Sequence, residues 1–106
     1  MASREKLYER SLRRSLDEQL KADILELFES RRGQIPIEVE ISWHPSDPIL
    51  SLRGPMGVSI HAHFQEAAEL LEVFAELGFA ARMMVTDRHK EKARDVIHEI
   101  AEELKL

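Results

Sequence analysis

The sequence predicts an α+β domain, a two-layer α/β sandwich with the element order α-β-β-β-α-β-α, in which helices pack mainly on one face of a four-stranded mixed sheet. Three observations predict it. Long stretches near both ends repeat apolar residues every three to four positions, as a helix with one buried face requires. The middle of the chain switches to strict alternation, as a half-buried strand requires. Proline- and glycine-bearing turns separate the alternating runs. At 106 residues the chain is expected to form a single domain over 1–106 with one core.

From Ser3 to Arg32 the residues Leu7, Leu12, Leu16, Leu20, Ile24, Leu27 and Phe28 recur at spacings near three to five among charges. The pattern predicts one long helix over 3–32, capped by Ser3 and ended by Gly33. At about 1.5 Å per residue it would run on the order of 40 Å and overhang a small sheet.

The first predicted strand, 35–44, turns Ile35, Ile37, Val39, Ile41 and Trp43 one way and Glu38, Glu40, Ser42 and His44 the other. "HPSDP" supplies a turn, and "ILSLR" resumes the alternation as a second strand through Leu50 and Leu52. "GPMG" sets Pro55 where its φ is preset and Gly57 where φ turns positive. The third strand then carries Val58, Ile60, Ala62 and Phe64 to the core, leaving Ser59, His61 and His63 outside.

A second helix is predicted over 65–77 on the stripe Ala67, Leu70, Leu71, Phe74 and Leu77, stopped by Gly78. "FAARMMVT" reads as a fourth strand, parallel to the third through a right-handed crossover. Thr86 or Asp87 caps a last helix with Ala93, Val96, Ile97, Ile100, Ala101 and Leu104 turned inward. The clean alternation of the first three strands leaves one sheet face to solvent.

Composition narrows the chemistry. Zero cysteines exclude disulfides, thiolate metal sites and a cysteine nucleophile. The formal charge is −5; residues 1–32 carry eight basic and seven acidic side chains, and residues 65–106 carry six and ten. An excess of acid argues against nucleic-acid binding, and Arg10, Arg13 and Arg14 sit among Glu9, Asp17 and Glu18, as on an ordinary solvated helix face. No run approaches the roughly 18 apolar residues of a membrane span, and the charged start is unlike a secretory signal, so a soluble, cytoplasmic protein without a membrane partner is expected.

Two stretches, "QEAAELLEVFAELGF" and "TDRHKEKARDVIHEIAEELKL", resemble computationally designed, de novo idealised α/β proteins, with capped helices rich in Glu, Lys and Arg. The resemblance is one of style and covers about a third of the chain. It implies a stable scaffold of designed or engineered origin, with no evolved substrate or with a grafted site. "SWHPSDP", five histidines and Met83-Met84 depart from that style.

The residues with most chemical capacity are histidines. His61 and His63, at i and i+2 on a strand, point to one face about 7 Å apart and make a zinc pair at about 2.0 Å per nitrogen conceivable. His44 is the third candidate ligand, about two strand spacings or roughly 10 Å away, with Asp47 or Glu40 as oxygen donors. Ser42, Ser51 and Ser59 share that face with the histidines, the raw material of a hydrolytic site, but no Gly-x-Ser-x-Gly elbow or phosphate loop is present. An outward strand face needs no chemistry to explain these residues.

The expected function is therefore a scaffold or protein-interaction module without a cofactor, engaging a protein partner or a second copy through the sheet face or the first helix. The competing expectation is a zinc-binding or hydrolytic site at His61, His63 and His44.

Overall fold

The structure, a computed structural model, describes residues 3–35 and 38–106. Pro36 and Ile37, part of the first predicted strand, lie outside the described residues. Among those described are five strands, β1 (Ser3–Ser11), β2 (Glu40–Trp43), β3 (Ile49–Arg53), β4 (Val58–Gln65) and β5 (Leu70–Leu77). Three helices accompany them: α1 (Glu18–Ser30), α2 (Phe79–Met84) and α3 (Asp87–Glu103). The strands form one antiparallel sheet in the order β1-β5-β4-β3-β2.

The α and β content is as expected, but the element order is not: a fifth strand is present and no pair is parallel. Residues 3–11, predicted as the start of a long helix, form β1. The charges of "SREKLYERS" suit either state, and the choice falls to pairing with β5, a partner 59 to 74 residues away that a local pattern does not reveal. The helix starts later, where the Asp17 side chain accepts a 2.7 Å hydrogen bond from the Leu20 N–H. Leu20, Ile24 and Phe28 form its buried stripe.

The predicted second helix is also a strand. "LLEVFAEL" fits both periods, but Leu71, Val73, Ala75 and Leu77 are buried in strict alternation, two of which the helical stripe left unused. The turn from β4 into β5 ends on Glu69 in the left-handed conformation, which reverses the chain and makes β5 antiparallel to β4. The predicted crossover thereby disappears. "FAARMM", expected as a strand, is the short helix α2, which buries Ala81 against Val58 and Leu77.

The first predicted strand, 35–44, pairs only over Glu40–Trp43, because its partner β3 runs only from Ile49 to Arg53, and α1 ends at Ser30, ahead of a 3-10 turn at Arg32–Gln34, rather than at Gly33. The loop 44–48 joins β2 to β3, and β4 buries Val58, Ala62 and Phe64. At "GPMG", Met56 as well as Gly57 takes positive φ. Gly78 then fits closely beneath it: a Cβ at Gly78 would lie 3.3 Å from the Met56 carbonyl oxygen. Thr86 caps α3 in a reciprocal box with His89, and Val96, Ile97, Ile100 and Ala101 are buried.

Both long helices cover the same sheet face. α1 lies over the β2 side, where the Trp43 Nε1–H donates to the Lys21 carbonyl at 3.1 Å and the indole packs on Phe64. α3 lies over β1, where the Lys90 ammonium meets Glu5 at 2.7 Å and Arg94 Nε donates to the Leu7 carbonyl at 2.7 Å. Arg31 at the end of α1 ties the helices together through Glu99 and Glu103. Leu50, fully enclosed beneath this layer, marks the centre of the core. Leu50→Ala is expected to lower unfolding free energy by about 2–5 kcal/mol in urea titration, with an unchanged slope.

Candidate functional site: the uncovered sheet face

The face away from α1 and α3 is built by strand alternation. It carries Arg4, Lys6 and Glu9 of β1, Glu72, Phe74 and Glu76 of β5, Ser59, His61 and His63 of β4, and Ser51 of β3. A bulge shapes its β1 side: the register passes from Lys6↔Phe74 to Tyr8↔Val73, leaving Leu7 as an extra residue. Leu7 and Tyr8 consequently both turn to the helix side, where the Tyr8 hydroxyl lies 2.8 Å from His98 Nδ1. Lys6 and Glu9, three apart, fall on the same open face and pair at 2.8 Å.

The structure separates the three candidate metal ligands by partner. His61 Nδ1 lies 2.9 Å from the Ser51 hydroxyl, its direct neighbour across the strands, and its Nε2 is 3.9 Å from a Glu76 oxygen. His63 Nε2 lies 3.4 Å from an Arg4 guanidinium nitrogen, so the ring accepts there, and its edge meets Phe74 at a 5.5 Å centroid distance. His44 closes its own loop: its Nδ1 accepts from the backbone N–H groups of Ser46 and Asp47 at 3.2 and 3.1 Å.

His44 shares a cross-strand row with Ile49 and His63 but sits two strands from His63. Asp47 Oδ2 lies 3.5 Å from His44 Nδ1, and Glu40 lies opposite Arg53. Among the described residues, no group of three or more His, Asp or Glu side chains is gathered as for a metal ion.

Ser51, His61 and, diagonally across from it, Glu76 have the residue types of a hydrolytic array. Ser51 is 8% exposed, and β4 is paired on both sides, so its amides are spent in the ladders rather than aimed at a developing oxyanion. What His61 does visibly is satisfy the nearly buried Ser51 hydroxyl.

The residues that sequence reading missed here are Arg4, Lys6, Glu72 and Phe74, because their segments read as helices. Arg4 stacks its guanidinium 4.0 Å over Phe74, an arrangement worth about 0.5–1 kcal/mol at exposed sites. Lys6 also binds Glu72 at 2.8 Å, and this hydrogen bond holds the Glu72 carboxyl below its ordinary range. The alternation Leu71, Val73, Ala75, Leu77 was the available signal.

Partial burial, then the Arg4 charge, lowers the His63 pKa below 6.5. Because the unfolded chain binds this proton more readily, stability falls as pH drops below about 6.5. His63→Gln is expected to flatten that slope, and Arg4→Gln to move the His63 titration toward higher pH, both measurable by NMR and denaturant titration. No protein-family model, curated protein or solved structure matches this chain.

Proposed function

We propose that the chain is a protein-interaction module that holds a partner through an apolar patch at the α2 end of the sheet. One observation carries this reading: Phe79, Met83, Met84 and Met56 are 80%, 78%, 58% and 49% exposed, while the other large apolar side chains among the described residues are buried or half-buried. Scattered apolar residues on a surface need no explanation, but four large ones gathered at one end do.

The local structure presents them. α2 is anchored on its inner side by Ala81, so Phe79 and Met83, one turn apart, both face out. Met56 stands on the neighbouring turn, joined to the start of α2 by the Gly78 N–H to Gly57 carbonyl bond of 3.1 Å. Three of the four side chains are methionines, whose unbranched, polarizable thioethers adapt to differently shaped partners. By contrast, the polar sheet face is largely self-satisfied by the contacts of Arg4, Lys6, His61 and His63. A scaffold role is compatible with this arrangement, since the patch adds little to the fold that bears it.

A peptide library selected against the native chain tests the reading. Enriched peptides are expected to bind with micromolar affinity and to lose at least tenfold on a Phe79→Asp, Met83→Asp double variant, whose thermal midpoint stays within a few degrees of the native one. Peptides that bind both forms equally would refute it.

A further inference from the structure

We propose that the chain associates with a second copy of itself along the outer edge of β1, merging two five-stranded sheets into one antiparallel sheet across a twofold axis between Leu7 and Tyr8. None of the patch residues Met56, Phe79, Met83 and Met84 belongs to β1.

The free edge can be read from the ladder. In antiparallel pairing, alternate residues spend both backbone groups on one neighbour. Leu12 N–H donates to the Glu69 carbonyl and Gly78 N–H to the Gly57 carbonyl, so the odd residues of β5 serve β1 and the even ones serve β4. By register, Ser3, Glu5, Tyr8 and Arg10 are then bonded inward. Arg4, Lys6, Glu9 and Ser11 turn their N–H and C=O groups outward.

The bulge fixes the centre of this outward set. Positions 4, 6, 9 and 11 are mirrored about the bond between 7 and 8, and the break in their spacing singles out that centre, whereas the even spacing of an unbulged strand favours no one centre. A twofold axis there sets Arg4 against Ser11 of the second copy and Lys6 against Glu9 of the second copy, outward group to outward group. The bulged residues meet two against two, so neither strand loses register. The Leu7 carbonyl is already satisfied by Arg94 within its own chain.

Side-chain charge selects the same alignment. Lys6 and Glu9 both lie on the uncovered face, and Glu5 and Arg10 both lie on the helix side, where they meet Lys90 and Glu102. The axis therefore places Lys6 beside Glu9 on one face and Glu5 beside Arg10 on the other, each pair doubled by symmetry. Opposite charges directly across strands stabilise a pair and like charges oppose it.

Sliding by one residue puts outward amides against inward ones. It also sets Arg4 against Arg10 and Glu5 against Glu9, or Lys6 against Arg10. An exposed edge of nine residues is a template for pairing, whereas the opposite edge, β2, offers only four.

Sedimentation equilibrium of the full chain tests this. The native chain is expected at twice its 12.3 kDa mass, and Lys6→Glu or Glu9→Lys alone to weaken association about tenfold or more. The two single variants mixed together, or both changes in one chain, restore opposite charges and are expected to recover the dimer. This recovery also shows that each variant is folded. Glu9→Pro, which removes an outward N–H without touching the β5 pairing, is expected to give monomer with an unchanged circular dichroism spectrum. A native chain of single-chain mass at about 1 mM, or a dimer indifferent to the reversals and to proline, would overturn the proposal.

Discussion

The pairing of β1 with β5 is the constraint on which the rest of the architecture depends. It brings the first described residues beside a segment 59 to 74 positions later and makes β5 an interior strand. α3 then has a surface to cover, since its contacts with Glu5, Leu7, Tyr8 and Arg10 all fall on β1. Without that pairing, β5 would be an edge and Leu7 would have no core to enter. Contacts so distant in sequence carry a larger closure entropy than those of the β2-β3-β4 meander.

Legibility in the sequence follows the same division. The middle strands were readable because Val58, Ile60, Ala62 and Phe64 alternate with polar residues and the turns beside them carry Pro and Gly. The last helix was readable because Thr86 and a long apolar stripe agree. β1 was not, since its charges satisfy helical spacing and Leu7, the one deeply buried side chain among its described residues, gives no period by itself. For "LLEVFAEL" and "FAARMM" two periods compete over short runs, and tertiary context decides: β5 is claimed from both sides, and α2 has only Ala81 to bury.

The candidate site divides likewise. That His61 and His63 share an open face was legible from alternation. Which groups they meet was not, because Arg4, Phe74 and Glu76 come from segments whose secondary structure was misread. Each histidine has its own neighbours: Ser51 for one, Arg4 and Phe74 for another, the 44–47 loop for the third. The face is thus a set of small polar contacts, while apolar exposure is concentrated on α2 and the turn beside it.

The aromatic inventory has a spectroscopic consequence. The chain has one Trp and one Tyr, and the fold sets them at opposite borders of the sheet. The Trp43 indole bonds to α1 over β2, while the Tyr8 phenol bonds to α3 over β1. Indole emission therefore reports the docking of one helix, and phenol absorbance the docking of the other. If the β1 border opens on its own, the two signals will part company in time or in denaturant, and the intact chain carries both chromophores without any label.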